Sequence, residues 1–214
     1  MIAVITGDII DSRKVSDASV WLNPFKKLLN VWGASPQLWE MYRGDSFQLK
    51  IEDASAALWH AICIKALIKS VVVSDAEGKQ GRVDVRMAIG IGEEGFKTER
   101  ITENNGEAFI RSGDQFELLS SEKVNLMVQS PWPDQDEDMN LKLRLALTIM
   151  DNWSVNSAEL MLIILQQPEL KQIEIAKILG IEQNSVSGRV GRAYANEIVA
   201  LEQNFRKQIK KHLS

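Results

Sequence analysis

The sequence predicts an α/β domain followed by an all-helical one, and three observations carry that prediction. Residues 2–10 (IAVITGDII) form a nearly continuous run of β-branched and other apolar residues, as expected for a central strand buried on both faces. Strand-type and helix-type patterns then take turns as far as about residue 129. From residue 141 onward only helical spacing recurs, and Gln172 to Ala193 reads as a helix-turn-helix.

After the first strand, Val20, Leu22, Phe25, Leu28, Leu29 and Trp32 recur at helical spacing. Ser16 or Asp17 is placed to cap that helix, and Pro24 is expected to bend or restart it. Residues 37–42 and 46–51 are short strand candidates joined by Arg43-Gly44-Asp45, a small centre suited to a tight hairpin with Asp45 at its tip. Residues 54–73 show a long apolar helix face. Gly78 to Gly81 makes a turn, and Val83, Val85, Met87, Ile89 and Ile91 alternate as a strand. A helix over 107–119 and a strand over 123–129 complete the first region. The segment SPWPDQDEDM, residues 130–139, has two prolines and four acidic residues, so an exposed connection is expected between domains of residues 1–135 and 140–214. Beyond it, residues 141–152, 157–166, 172–179 and 185–213 read as helices.

With 214 residues, 45% of them hydrophobic and 25% charged, the chain has globular composition. The single cysteine, Cys63, excludes an intramolecular disulfide framework. The strand pattern of the opening residues carries no basic leader, so a cytoplasmic location is expected. No run approaches the roughly 18 uninterrupted apolar residues of a membrane span. Of the 25 Lys/Arg and 29 Asp/Glu, eight and four lie in residues 171–214, leaving 17 and 25 before it. A basic tail behind an acidic front suits a polyanion partner, although mixed Lys/Glu helices are commonly just solvated faces.

Two Gly-Asp dipeptides, Gly7-Asp8 and Gly44-Asp45, carry the clearest chemical signal. In a strand-helix-hairpin order the first strand lies beside the hairpin, which brings both carboxylates to one sheet edge. Mg²⁺ (or Mn²⁺) takes oxygen ligands and is commonly held by one or two carboxylates plus substrate phosphates. Asp8 and Asp45 are therefore the candidate metal ligands for a nucleoside triphosphate, with Arg43 on a phosphate and Asp11 nearby. Asp beside Gly is also common in ordinary turns.

Four segments in order resemble the class III nucleotidyl cyclase domain: Gly7 to Ile10, Arg43 to Phe47, Arg86 to Gly92 and Asn105 to Phe109, together covering about residues 1–130. The resemblance implies a ferredoxin-like or cyclase-like palm with a mainly antiparallel sheet, and a head-to-tail homodimer. It assigns metal binding to Asp8 and Asp45, and purine-nucleotide binding to Arg43, Gly44 and Glu103, with Arg111 as a substitute cation. Active cyclases place an asparagine and an arginine where this chain has Ile110 and Asp114, and the purine-selecting lysine falls on Met41. Nucleotide binding without turnover is thus expected, because charge stabilisation supplies most of phosphoryl-transfer catalysis. Over nearly its full length the chain also resembles the SatD family through Ile5 to Ser12, Tyr42 to Ser46 and Asn105 to Gly113. That resemblance implies a cytoplasmic bacterial protein and brings no reaction with it.

In the helix-turn-helix, Ala176 is small where two helices cross, and Gly180 makes the turn. The second helix resembles the last helix of sigma-factor region four. Gln183, Asn184, Ser187 and Gly188 are then nearest a DNA groove, with Arg189 and Arg192 for phosphates or guanine edges. Gly188 and Gly191 soften this helix by about 1 kcal/mol each relative to alanine. His60, His212 and six dispersed tryptophans read as structural. The expectation is a DNA-binding regulator with a metal-nucleotide sensor domain. The alternatives are a divergent cyclase or phosphoryl-transfer enzyme, and a protein-interaction module.

Overall fold

The computed structural model describes all residues from Met1 to Ser214. The apolar run at the start becomes β1 (Ile2–Ile10), the centre of a five-stranded sheet. Around it the chain forms α1 (Ser19–Trp32), β2 (Trp39–Tyr42), β3 (Ser46–Ile51), α2 (Ala57–Ser70), a small ribbon of β4 (Val73–Ser74) with β5 (Gln80–Gly81), then β6 (Asp84–Gly92), α3 (Glu107–Glu122) and β7 (Leu126–Gln129). The strand order is β2-β3-β1-β6-β7. The sheet is mixed: three neighbouring pairs are antiparallel, and β6 with β7 is parallel because α3 crosses between them.

The two faces of β1 are used differently. Ala3, Ile5 and Ile9 join Trp21, Phe25 and Leu29 of α1 and the apolar residues of α2 in the main core. Ile2 and Val4 point the other way, onto Ala108 and Phe109 of α3. Close approach of α3 depends on Gly90, where a Cβ would stand 2.2 Å from the Ala108 carbonyl oxygen. Thr6 and Ser112 meet hydroxyl to hydroxyl at 3.0 Å in that layer, so this buried polar pair is satisfied. α3 leaves the outer strands β2 and β3 less covered on its side. Asp17 accepts a bond from the Ser19 amide at 2.9 Å at the start of α1, and Pro24 lies inside that helix without ending it.

The proline- and acid-rich segment departs from its expectation. It is the first turn of α4 (Pro133–Met150), with Pro133 where a missing N–H costs nothing and with Asp134 and Asp136 favoured by the positive end of the helix dipole. Asp136 also turns back to accept bonds from the Ser130 amide and hydroxyl at 2.7 and 2.6 Å, and burial pushes its pKa up. α5 (Val155–Gln166), α6 (Gln172–Leu179), α7 (Gln183–Ala193) and α8 (Ala195–Leu213) follow. The helix expected over 185–213 is broken at Tyr194, whose φ of 50° puts it in the left-handed region.

One buried cluster of 42 residues runs through both the sheet region and the helices, from Ala3 to Ile209. α2 lies between the sheet and α5, and its Trp59 indole donates to the Leu165 carbonyl at 2.9 Å. Beside it the Lys65 ammonium, fully buried, meets Asp84 at 2.7 Å and Asp151 at 2.6 Å. Lys69 adds contacts to Asp84 at 3.0 Å and to the Asp151 carbonyl at 2.7 Å. These charges tie α2 and β6 to the corner between α4 and α5.

Candidate functional site

Strand register sets the site. Tyr42 on β2 is paired with Ser46 on β3, Ser46 with Asp8 on β1, and Asp8 with Arg86 on β6, so these four residues form one row across the sheet. The row lies where β1 ends, next to the β2–β3 turn and the C-terminal end of α3. A cleft of about 810 Å³ opens there, within the roughly 300–1,000 Å³ typical of ligand sites. Asp8, Asp45, Arg43 and Asp11 all line it, as the sequence predicts.

Asp8 is held by Arg86, whose Nε donates to Oδ1 at 3.0 Å and whose Nη2 donates to Oδ2 at 2.6 Å. This paired hydrogen bond raises the guanidinium pKa above its ordinary value. Asp45 accepts the Ser12 hydroxyl at 2.7 Å through Oδ2, while its carbonyl takes the Ile9 amide at 3.1 Å and pins the turn to β1. Asp11 pairs with Lys14 at 2.8 Å. Burial pushes the Tyr42 hydroxyl pKa up, with Asp8 acting in the same direction and Arg43 against it.

Backbone conformation marks the same place. Four non-glycine residues have positive φ, namely Asp11, Arg43, Lys123 and Tyr194. Three of the four line this cleft. Left-handed backbone costs a residue with a Cβ on the order of 1–2 kcal/mol, and such strain gathers at functional sites.

The acids Asp8, Asp11 and Asp45 are outnumbered in the cleft by Arg13, Lys14, Arg43, Arg86 and Lys123. A bare divalent cation fits that balance poorly. A cation that arrives on a polyphosphate fits it well: the carboxylates offer oxygen ligands, and the surplus cations meet the phosphates. Asp8 and Asp45 are the residues that would hold the metal, and Arg43, Lys123 and the backbone beside Gly44 would meet the phosphates.

Other sequence candidates lie elsewhere. Arg111 donates to the Ile91 carbonyl at 2.7 Å and pairs with Glu107 at 2.9 Å. Ile91 faces Ala3, five residues along β1 from Asp8, so the carbonyl that Arg111 holds lies roughly 17 Å along the sheet from the Asp8 backbone. Glu103 ends a short 3-10 turn whose neighbours Arg100 and Thr102 bind Glu40, and its own contact is Arg100 at 3.8 Å. Neither lines the cleft. Met41 packs against the main core. Conversely, Arg13, Lys14, Arg86, Lys123 and Asn125 line the cleft without any local motif that marks them as site residues. The usable signal for Arg86 was its place as a charged residue between Val85 and Met87 in an otherwise apolar strand.

In the helical region, Gly180 has a φ of 63° and joins α6 to α7, as the helix-turn-helix reading requires. Leu160 of α5, Ile175 and Ala176 of α6 and Val186 of α7 form its small core. Gln183, Asn184, Ser187 and Arg192 are exposed on α7. Arg189 is not free: it pairs with Glu159 of α5 at 3.2 Å, and its side chain is 14% exposed. Charge within residues 155–194 balances, with Lys171, Lys177, Arg189 and Arg192 against Glu159, Glu169, Glu174 and Glu182. Of the basic surplus of residues 171–214, half lies in 195–214, where Arg206, Lys207, Lys210 and Lys211 stand against Glu197 and Glu202. No helix is long and apolar enough to cross a membrane. Compared with known proteins, the chain matches no family model and no curated sequence.

Proposed function

We propose that the protein is a DNA-binding regulator whose sheet region binds a metal-loaded nucleoside triphosphate in the Asp8–Asp45 cleft. The observation that carries this reading is the convergence, in one cleft, of both Gly-Asp carboxylates with three strained non-glycine residues, two of them the cations Arg43 and Lys123. The antiparallel order β2-β3-β1-β6, with two helices on one face, supports a ferredoxin-like or cyclase-like palm. A bound metal would neutralise phosphate charge. Asp8 and Asp45 would hold it, while Arg43 and Lys123 would grip the phosphate oxygens. Ile110 and Asp114 supply no cation for a transferring phosphate, so the site senses its ligand without turning it over. Asn125, which lines the cleft, donates to Asp151 at 3.1 Å, and this contact leads from the ligand to the corner that carries α5 and the helix-turn-helix. In a homodimer, occupancy then changes the spacing of two recognition helices.

Calorimetric titration with ATP and GTP, with and without Mg²⁺ or Mn²⁺, tests the sensor. Metal-dependent binding that disappears in an Asp8→Ala, Asp45→Ala double variant is expected. No binding of either nucleotide by the wild type overturns the reading.

A second reading is favoured by Ile173 and Ile178 of α6, 51% and 54% exposed, which suit a protein partner better than a phosphate backbone. In that case the three-helix unit is an interaction module. Affinity for duplex DNA that falls steeply with salt separates the first reading from this one.

A further inference from the structure

The cleft does not end at Lys14. A smaller groove of about 220 Å³ adjoins it, sharing Asp11 and Lys14 and running along the β4–β5 ribbon past Lys79 and Arg82. The ribbon is fixed to the cleft wall, because the Ser16 amide and hydroxyl both donate to the Ser74 carbonyl at 2.9 and 3.0 Å. Asp75, the further acid of the groove, spends its carboxylate on the Glu77 and Lys79 amides of its own turn.

Across the chain ten arginines are present, and six of them pair with a carboxylate: Arg86, Arg100, Arg111, Arg144, Arg189 and Arg206. Of the four that do not, Arg13, Arg43 and Arg82 lie along this one continuous depression. Lys79 and Lys123, likewise without a carboxylate partner, extend the series. A protein of net charge -4 that leaves these cations unneutralised along one line keeps a positive track there. Its cations are spread over two adjoining depressions, Arg13, Arg43 and Lys123 in the larger and Lys79 and Arg82 in the smaller, which gives a ligand two separate places for phosphate. Planar guanidinium groups at intervals suit separate phosphodiesters.

We infer that the ligand is a phosphodiester-linked nucleotide of at least two units, its terminal phosphate in the Asp8–Asp45 cleft and its next phosphate across Lys79 and Arg82. This rests on the cleft being a nucleotide site and extends it to a second phosphate subsite.

The test is a ladder of 5′-phosphorylated deoxyadenosine oligonucleotides, one to four units long, titrated with Mg²⁺ into the wild type and a Lys79→Gln, Arg82→Gln variant. Lys27→Ala, an exposed cation of α1 that lines neither groove, serves as a control for general charge. Affinity should rise about tenfold from one unit to two and then level off. The Lys79→Gln, Arg82→Gln variant should lose that gain while binding one unit as the wild type does, and the salt slope of the dinucleotide should fall by about 0.7 for the lost phosphate contact. Lys27→Ala should change nothing. A ladder that is flat from one unit to two, or a gain that survives in the Lys79→Gln, Arg82→Gln variant or vanishes in Lys27→Ala, overturns the second subsite. Binding of two units but no ATP, GTP or single unit keeps the inference and removes the triphosphate reading, whereas no binding at any length removes both.

Discussion

Asp8 and Arg86 face each other across the β1–β6 pair, and the guanidinium donates to both carboxylate oxygens at 3.0 and 2.6 Å. The same carboxylate thus has two possible partners, a resident arginine and an incoming metal, and their relative importance is measurable. Asp8→Asn removes a charged ligand and releases Arg86 into the cleft. Binding of Mg²⁺-ATP should lose its metal dependence, while metal-free tripolyphosphate should bind more tightly because the cleft gains a positive charge. The pair is partly exposed, so its loss should cost only about 1 kcal/mol of stability. Unchanged metal dependence would show that Asp8 serves Arg86 alone.

Lys123 ends α3 with a φ of 54°, a position where glycine is the preferred residue. Lys123→Gly relieves the Cβ strain and should stabilise the fold by about 1 kcal/mol after the greater freedom of the unfolded chain is counted. The same change removes a cation from the cleft and should weaken nucleotide binding severalfold. Opposite signs in denaturant unfolding and in calorimetry are expected, the pattern of a residue kept for function at a cost in stability. A loss of stability would mean that the lysine side chain holds the α3 terminus.

Arg189 and Arg192 look equivalent in sequence and are not equivalent in the fold. Arg192 is exposed, and its truncation to alanine should weaken duplex binding and lower the salt slope by about 1. Arg189 bridges α7 to Glu159 of α5, so its truncation should chiefly lower stability, by up to about 1 kcal/mol. Mobility-shift titrations over a range of salt, set beside melting curves, separate the two effects. Equal loss of DNA affinity in both variants would show that Arg189 leaves Glu159 on binding.

The elements of the sheet region were legible because each announces itself locally: β1 by its unbroken apolar run, β6 by alternation, the β2–β3 hairpin by Arg43-Gly44-Asp45. The convergence of Asp8 and Asp45 followed from that order. What local pattern does not contain is partnership. Arg86 reaches Asp8 only through register across 78 residues of chain, and Lys123 enters the cleft only because α3 crosses the sheet at Gly90. Arg111 was misplaced for the converse reason, since proximity in a motif says nothing about which end of a strand a helix covers. In segment 130–139 the prolines and acids mark a loop by composition, yet the same residues suit the first turn of a helix.

His60 packs against Trp32 and Trp59 with ring centroids 4.6 and 4.9 Å away, and its Nδ1 lies 2.9 Å from the Ala56 carbonyl. Burial lowers its pKa from the ordinary value of 6.5; the hydrogen bond and Asp53 oppose that shift, and Arg206 adds to it. The folded value is thus below the unfolded one, so the unfolded chain takes up the proton first. The stability contributed by a neutral His60 is complete above about pH 6.5 and is lost as pH falls below it toward the folded pKa. His60→Phe should flatten the melting temperature between about pH 7 and 5 relative to the wild type. An equal slope in both proteins would assign the acid sensitivity to carboxylates.

Lys65 offers the sharpest separation of structure from signalling. Its ammonium is fully buried between Asp84, two residues before Arg86 in β6, and Asp151, the acceptor of Asn125. Removing one member of a buried charge group leaves the others uncompensated, so Lys65→Met should cost about 3 kcal/mol. For a chain of this size that lowers the melting temperature by roughly 6–12 °C. If the cleft reports to the helix-turn-helix through this corner, nucleotide must change duplex affinity in the wild type and do so much less in Lys65→Met. A folded variant is assured by working well below its melting temperature. Loss of stability with the nucleotide effect intact would make Lys65, Asp84 and Asp151 a structural clamp, and coupling would then have to pass through α2 and its Trp59 contact to Leu165 instead.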